Sequence, residues 1–135
     1  MWPTWESRPD TVIIRKLSET AGVEWGNGLS HRFLTLKDGM GYTVTHTIVR
    51  AGTDSALEYR NHLEACYCIA GSGKVIDSAG DEHVIEAGTL YALDKHDPHH
   101  LIASPDQDMV LVCMFTPALI GDESHNLDDE YSYYD

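Results

Sequence analysis

Short strands separated by glycine-bearing turns predict an all-β sandwich or barrel for this chain. Two observations carry the prediction. Turn signals recur about every eight to twelve residues from Ser30 onward, the spacing of small antiparallel β-domains. Between them, apolar and polar residues alternate with the period of two that marks strands, and the continuous apolar run at 109–116 suits a buried strand. A length of 135 residues fits one domain with a single core and leaves little room for a second.

In chain order, residues 1–12 read as an N-terminal extension, 13–125 as the barrel domain and 126–135 as an acidic, tyrosine-rich tail. Residues 12–17 form the first candidate strand. Ser18 is a candidate helix cap, and Gly26, Asn27 and Gly28 break whatever precedes them. Strands follow at 31–36 and 42–50, joined by a turn at Asp38, Gly39 and Gly41. In the second of these, Thr43, Thr45 and Thr47 share one face, and on strand propensity alone a threonine row reads as an exposed one. Further short strands are expected at 74–77, 83–85, 89–93, 99–103 and 109–116, with a loop at 94–98.

Composition excludes several functions. The formal net charge of −13 opposes attraction to phosphate backbones, so nucleic acid is not an expected partner. No apolar run approaches the ~20 residues that span a bilayer, and the first residues lack the charged and apolar zones of a secretory signal, which predicts a cytoplasmic protein with no membrane partner. Three cysteines without a CxxC pair point to reduced thiols rather than a disulfide framework or a thiolate zinc site.

The most informative stretch runs from Gly52 to Gly71. Read as one extended strand, it puts Glu58, Arg60 and Glu64 on a shared face that continues into Cys66 and Cys68, while Tyr59, Leu63, Ala65, Tyr67 and Ile69 fill the other. Charged groups on a packed strand are costly unless they are wet or coordinate something. The glycine spacing has a known counterpart. Gly52, Glu58, Arg60, Glu64 and Gly71, then Gly80, Glu86, Gly88, Tyr91 and Lys95, occupy the fixed places of the two signatures of the cupins, small double-stranded β-barrels or jelly rolls, and the resemblance implies that fold with short helical or irregular segments. The usual cupin histidines are replaced: Glu64 is retained and Tyr91 stands where the last histidine would be. Those two offer oxygen ligands, and the 96–100 loop, with His96, His99 and His100, offers a nitrogen.

The runs NHLEACYCIAGSG, AGTLYALDKHDPHHL and CMFTPALIGDESH resemble the ectoine synthases, cupin lyases that close the ring of a compatible solute, over the chain from Ile13 to His125. The resemblance implies an Fe2+ site, with other divalent metals admissible, at Glu64, Tyr91 and His99. It implies substrate contacts at Arg32, Thr47, Tyr59, Cys113, Phe115, Glu123 and His125. Parity adds Thr45, which shares its strand face with Thr47. Arg32 suits a substrate carboxylate, because a guanidinium can bind one bidentately. Two positions depart from the family: Gly28 stands in place of a tryptophan, with Trp25 three residues upstream expected to compensate, and Thr45 in place of a polar amide.

The implied reaction is a hydro-lyase step, the cyclisation of N-γ-acetyl-L-2,4-diaminobutyrate to ectoine with loss of water. Tyr59, Glu123 and His125 are the candidates for its proton transfers, their division of labour left open. A cupin sensor or binding module without turnover, and a cyclase or hydrolase of another acylated diamino acid, are the alternatives. The exposed edges of a small barrel predict a homodimer using the N-terminal strand around Ile13.

Overall fold

A computed structural model describes residues 12–127 and 132–133. The described residues form β1 (Gly22–Glu24), β2 (Leu29–Leu34), β3 (Thr43–Val49), β4 (Asp54–Glu58), β5 (Leu63–Ala70), β6 (Ser72–Ile76), β7 (Glu82–Glu86), β8 (Leu90–Leu93), β9 (His99–Ala103), β10 (Met109–Thr116) and β11 (Ser132–Tyr133). One sheet has the order β1-β2-β3-β10-β5-β8 and the other β11-β4-β9-β6-β7, so neighbours in space are often distant in sequence. Pairing is antiparallel except where β11, from the acidic tail, lies parallel to β4. The glycines of the two cupin signatures, at 52, 71, 80 and 88, all have positive φ, the backbone region that their tight turns require. No described helix is long and apolar enough to cross a membrane.

The core lies between the inward faces of the two sheets. Cys66 and Cys68 of β5, Leu111, Cys113 and Phe115 of β10, and Leu101 and Ala103 of β9 are all buried there, as period-two alternation requires. The threonine row is not the exposed face that propensity suggests: Thr43 and Thr45 are buried. Their hydroxyls are satisfied inside, Thr43 accepting the Leu119 N–H at 2.8 Å and Thr45 sharing a 2.7 Å hydrogen bond with Thr47. A paired hydroxyl removes most of the cost of burial.

Three other expectations fail. The extension, 1–12, falls outside the described residues except for Val12. Residues 12–16 form no strand among the described residues, and Val12 and Ile14 remain exposed. Ser18 is not a cap: it lies inside a single 3₁₀ turn, Leu17–Glu19, whose N-cap is Lys16. The 52–71 stretch is two strands in different sheets, not one. The chain crosses between sheets at residues 59–62, which resets the alternation, so Arg60 points to solvent and pairs with Glu58 at 3.0 Å while Glu64 and Tyr59 both turn inward.

Candidate active site and metal centre

A cavity of about 30 Å³ opens between the sheets, lined by Trp25, Ser30, Thr47, Glu64, Tyr91 and Cys113 among others. That volume holds roughly one or two water molecules. Its two ends differ in chemistry.

The polar end is formed by Ser30 and Thr47, with Arg32 behind them. The Arg32 side chain is only 3% exposed, and Nη2 donates to the Glu123 carbonyl at 2.6 Å while Nη1 approaches Glu123 Oε1 at 3.5 Å. Nε donates to Ser30 Oγ at 3.3 Å, Thr47 Oγ1 donates to the same oxygen at 3.1 Å, and Thr45 joins through Thr47. β2 and β3 make this possible by setting Arg32 opposite Thr45 and Ser30 opposite Thr47. The Glu123 carboxylate also accepts the backbone N–H groups of Ile120 and Gly121 at 2.7 and 2.9 Å, so it anchors the segment after β10.

Above the cavity, Tyr59 and His125 share a hydrogen bond between the phenol oxygen and Nε2 at 3.1 Å, in buried surroundings. The Tyr59 ring packs edge-on to Phe115 at 5.2 Å and to His125 at 5.3 Å. Trp25 is 3% exposed, stands edge-on to His125 and donates Nε1–H to the Ile48 carbonyl at 3.0 Å. A Cβ at 28 would fall 1.7 Å from the Ile48 carbonyl oxygen, so no side chain is accommodated at that position. The three proposed proton carriers thus divide: Tyr59 and His125 are brought together, and Glu123 is set apart against Arg32.

The donor end holds Glu64, Cys66, Tyr91 and Cys113. Cys66 lies opposite Cys113 of β10 on one side and opposite Tyr91 of β8 on the other, so three adjacent strands converge there. Burial pushes the Glu64 carboxyl up to about 8, against hydrogen bonds from Cys66 and Cys113 that favour its charged form. Burial also drives Cys66 and Tyr91 well above their ordinary values, with Cys113 and Glu64 adding to the effect on both; Cys66 raises Tyr91 further, whereas the hydrogen bond with Tyr91 lowers Cys66. Across the barrel, His99 is 1% exposed and burial lowers its pKa, which keeps the ring neutral. Its Nδ1 lies 2.9 Å from the Asp97 carbonyl oxygen, a contact that requires the proton on Nδ1 and leaves a lone pair on Nε2. That Nε2 is buried and has no hydrogen-bond partner. An unpartnered imidazole lone pair with its other nitrogen fixed by a carbonyl is the tautomer a metal ligand needs. The donors therefore fit a divalent ion, although His99 falls outside the tight group formed by Glu64, Cys66 and Cys113, whose ligand atoms lie within 4.8 Å of one another.

The remaining loop histidines have other work. His96, at φ 57°, points Nδ1 at the carbonyls of Tyr59 and His62, pinning the crossing between sheets, and His100 faces outward to Asp54 at 2.8 Å. Cys66 and Ser30 were not singled out as site residues from sequence. For Cys66 the signal was its two-residue spacing from Glu64; for Ser30 it was the same spacing from Arg32.

A family profile described as "Ectoine synthase" matches residues 12–135. An L-ectoine synthase of Desulfosudis oleivorans is 44% identical over 125 residues, covering 89% of this chain and 96% of that protein. The crystal structure of ectoine synthase from P. lautus superposes with a TM-score of 0.76 at 38% identity, covering 80% of each chain. A cupin 2 conserved barrel domain protein from Salinispora arenicola, 16% identical with a TM-score of 0.66 over 79% of this chain and 90% of that one, shares the cupin fold.

Proposed function

Because the chain belongs to the ectoine synthase family, we propose that its inner cavity closes N-γ-acetyl-L-2,4-diaminobutyrate into the cyclic amidine ectoine, with Glu64, Tyr91 and His99 holding an Fe2+ ion and Arg32 holding the substrate. The protein is a hydro-lyase: the α-amino nitrogen bonds to the acetamide carbon, and the carbonyl oxygen leaves as water. The observation that supports the site assignment is the unpartnered Nε2 of His99, in a barrel interior that already holds a buried carboxyl, Glu64, and a partly buried phenol, Tyr91. A bound ion there supplies Lewis acidity toward an otherwise unreactive amide carbonyl.

The protein's own groups do the rest. Arg32, steadied by Ser30, takes the substrate carboxylate, for which the long 3.5 Å contact to Glu123 Oε1 is readily exchanged. Thr45 and Thr47 extend that polar end. Trp25, Phe115 and Cys113 wall the cavity and fold the diamino acid so that amine and acetamide meet, which removes most of the entropic barrier to ring closure. The Tyr59 hydroxyl and His125 Nε2 form the pair that takes a proton from the amine and returns one to the departing oxygen. Glu123 holds the 120–125 segment over the site. A cavity of about 30 Å³ is too small for the substrate, so that segment lifts to admit it and then excludes water again.

The protein acts as a cytoplasmic homodimer on this reading. Among the described residues β8 ends its sheet, and Leu63, Tyr67, Ile69, Leu90 and Met114 on the outer face of the same sheet are exposed, as are Val12 and Ile14. The extended segment around Ile13 is suited to pair with such an edge on a second copy. A monomer by light scattering contradicts the assembly. For the activity, purified iron-loaded protein is incubated with the acetylated diaminobutyrate and followed by mass spectrometry. A product lighter by one water supports the reading. Unchanged substrate with tight binding favours a binding module, and hydrolysis to diaminobutyrate favours a different reaction.

A further inference from the structure

The geometry points to His96 as a positioning residue for the reaction, the side chain that holds Tyr59 in register with the imidazole of His99. This rests on the function and metal-centre reading above and adds a residue outside its site set.

Backbone conformation singles His96 out. Among the described residues it is the one non-glycine residue with positive φ, at 57°. Glycine or asparagine enters that left-handed region at lower cost, so a histidine there runs against local preference unless its ring offsets the difference. The ring acts through Nδ1, which lies 2.8 Å from the Tyr59 carbonyl oxygen and 3.1 Å from that of His62. Both partners are acceptors, so Nδ1 carries the proton and donates a bifurcated hydrogen bond. Those two carbonyls bracket the crossing between sheets, where the ladder of β4 has stopped at Glu58 and that of β5 begins at Leu63. The His96 hydrogen bond therefore fixes the backbone that carries Tyr59 where no strand pairing does so.

The same loop also reaches the metal centre. The Asp97 carbonyl accepts from His99 Nδ1 at 2.9 Å, the contact that leaves the lone pair on His99 Nε2. Pro98 restricts the backbone of Asp97 to extended conformations. Adjacent residues thus supply the ring that orients Tyr59 and the peptide that orients His99. The Tyr59 and His99 rings stand 6.3 Å apart, and the Tyr59 hydroxyl reaches His125 Nε2 at 3.1 Å. A misplacement of about 1 Å between reacting groups can cost on the order of 100-fold in rate, which gives a residue of this kind its leverage.

The test compares His96→Gly with His96→Asn in the full chain. Glycine accepts the left-handed backbone and removes the donor. Asparagine also tolerates that backbone and sets an amide N–H where Nδ1 stands. The expected result is a kcat lower by roughly 10- to 100-fold in His96→Gly, with KM and iron stoichiometry nearly unchanged, and recovery to within about threefold in His96→Asn. Equal kcat in all three proteins, or the same loss in both variants, overturns the inference. A lower melting temperature in His96→Gly with kcat unchanged overturns it as well, because that is what a merely structural role gives. A second readout needs no turnover: long-range 1H–15N spectra of the metal-free protein follow the ring nitrogens of His125, whose hydrogen bond to Tyr59 should be lost in His96→Gly and kept in His96→Asn. Unmoved His125 signals in His96→Gly contradict the inference whatever the activity. Moved signals, in a protein that forms no cyclic product even unmodified, support the positioning role and sink the proposed reaction.

Discussion

At the Arg32 end of the cavity a buried charge meets an opposite one, Glu123, and the neighbouring hydroxyls form a connected chain. At the Glu64 end, a buried carboxyl has no cation beside it among the described residues, two thiols and a phenol crowd it, and an imidazole lone pair across the barrel has no partner. The same barrel interior thus links one set of polar groups into a network and leaves the His99 Nε2 without a protein partner. On the proposed function, the finished network binds and orients the substrate and the unfinished one is completed by an ion.

Glu64→Gln is the most severe way to break that contrast. It removes a charged donor, so metal affinity and turnover are expected to fall on the order of 100-fold or more. The metal-free protein should respond in the opposite sense. Glu64 titrates near 8 when folded, above its ordinary value of 4.5, so the folded state binds more protons between those values and loses stability as pH rises through them. Glu64→Gln should flatten that fall, as measured by thermal melts of metal-free protein across the range.

Arg32→Ala attacks the finished end. Removing the buried guanidinium, with its hydrogen bonds to Ser30 and the Glu123 carbonyl, is expected to cost about 1 to 3 kcal/mol in a denaturant titration, and Arg32→Lys, which keeps charge but loses the fork, should chiefly raise KM. Gly28→Ala tests the wall between the ends. Its Cβ would collide with the Ile48 carbonyl and press on the Trp25 ring, and an overpacked backbone contact of this kind costs about 1 to 3 kcal/mol. A silent Gly28→Ala means that Trp25 is not held by this approach.

A pair outside the cavity sets the baseline. Asp38 accepts from Arg15 at 2.7 and 2.8 Å and from the Thr35 N–H, and Arg15 holds its carboxyl below the usual range. Because the folded pKa is depressed, the pair's contribution is present above the unfolded carboxylate value and is lost as pH falls through the folded one. With Arg15 more than a third exposed, Asp38→Asn should cost less than about 1 kcal/mol at neutral pH, and the difference from the unmodified protein should vanish in acid.

What the sequence revealed and what it withheld follow the same logic of locality. Turn glycines, the strands at 99–103 and 109–116, and the inward parity of Glu64 with Cys66 were legible because each depends on backbone preferences within a few residues. The crossing at 59–62 was not, since alternation carries along a strand but not past a change of sheet, and Tyr59 therefore turned up on the same side as Glu64. The burial of Thr43 and Thr45 depends on partners at Leu119 and Thr47 that propensity cannot see. The apposition of Cys66 with Cys113 is a matter of register between strands more than forty residues apart in sequence, which no local pattern encodes. Trp25 could be expected to compensate for Gly28, but the reason, a backbone oxygen filling the space at 28, lies in β3.

The central claim is that the Glu64 end is completed by a metal ion. Anaerobic equilibrium titration of the metal-free protein with Fe2+, run in parallel with Glu64→Gln, tests it most directly. The account predicts one tightly bound ion per chain in the unmodified protein and none at the same concentrations in Glu64→Gln. Equal binding by both proteins, or no stoichiometric binding by either, would contradict it.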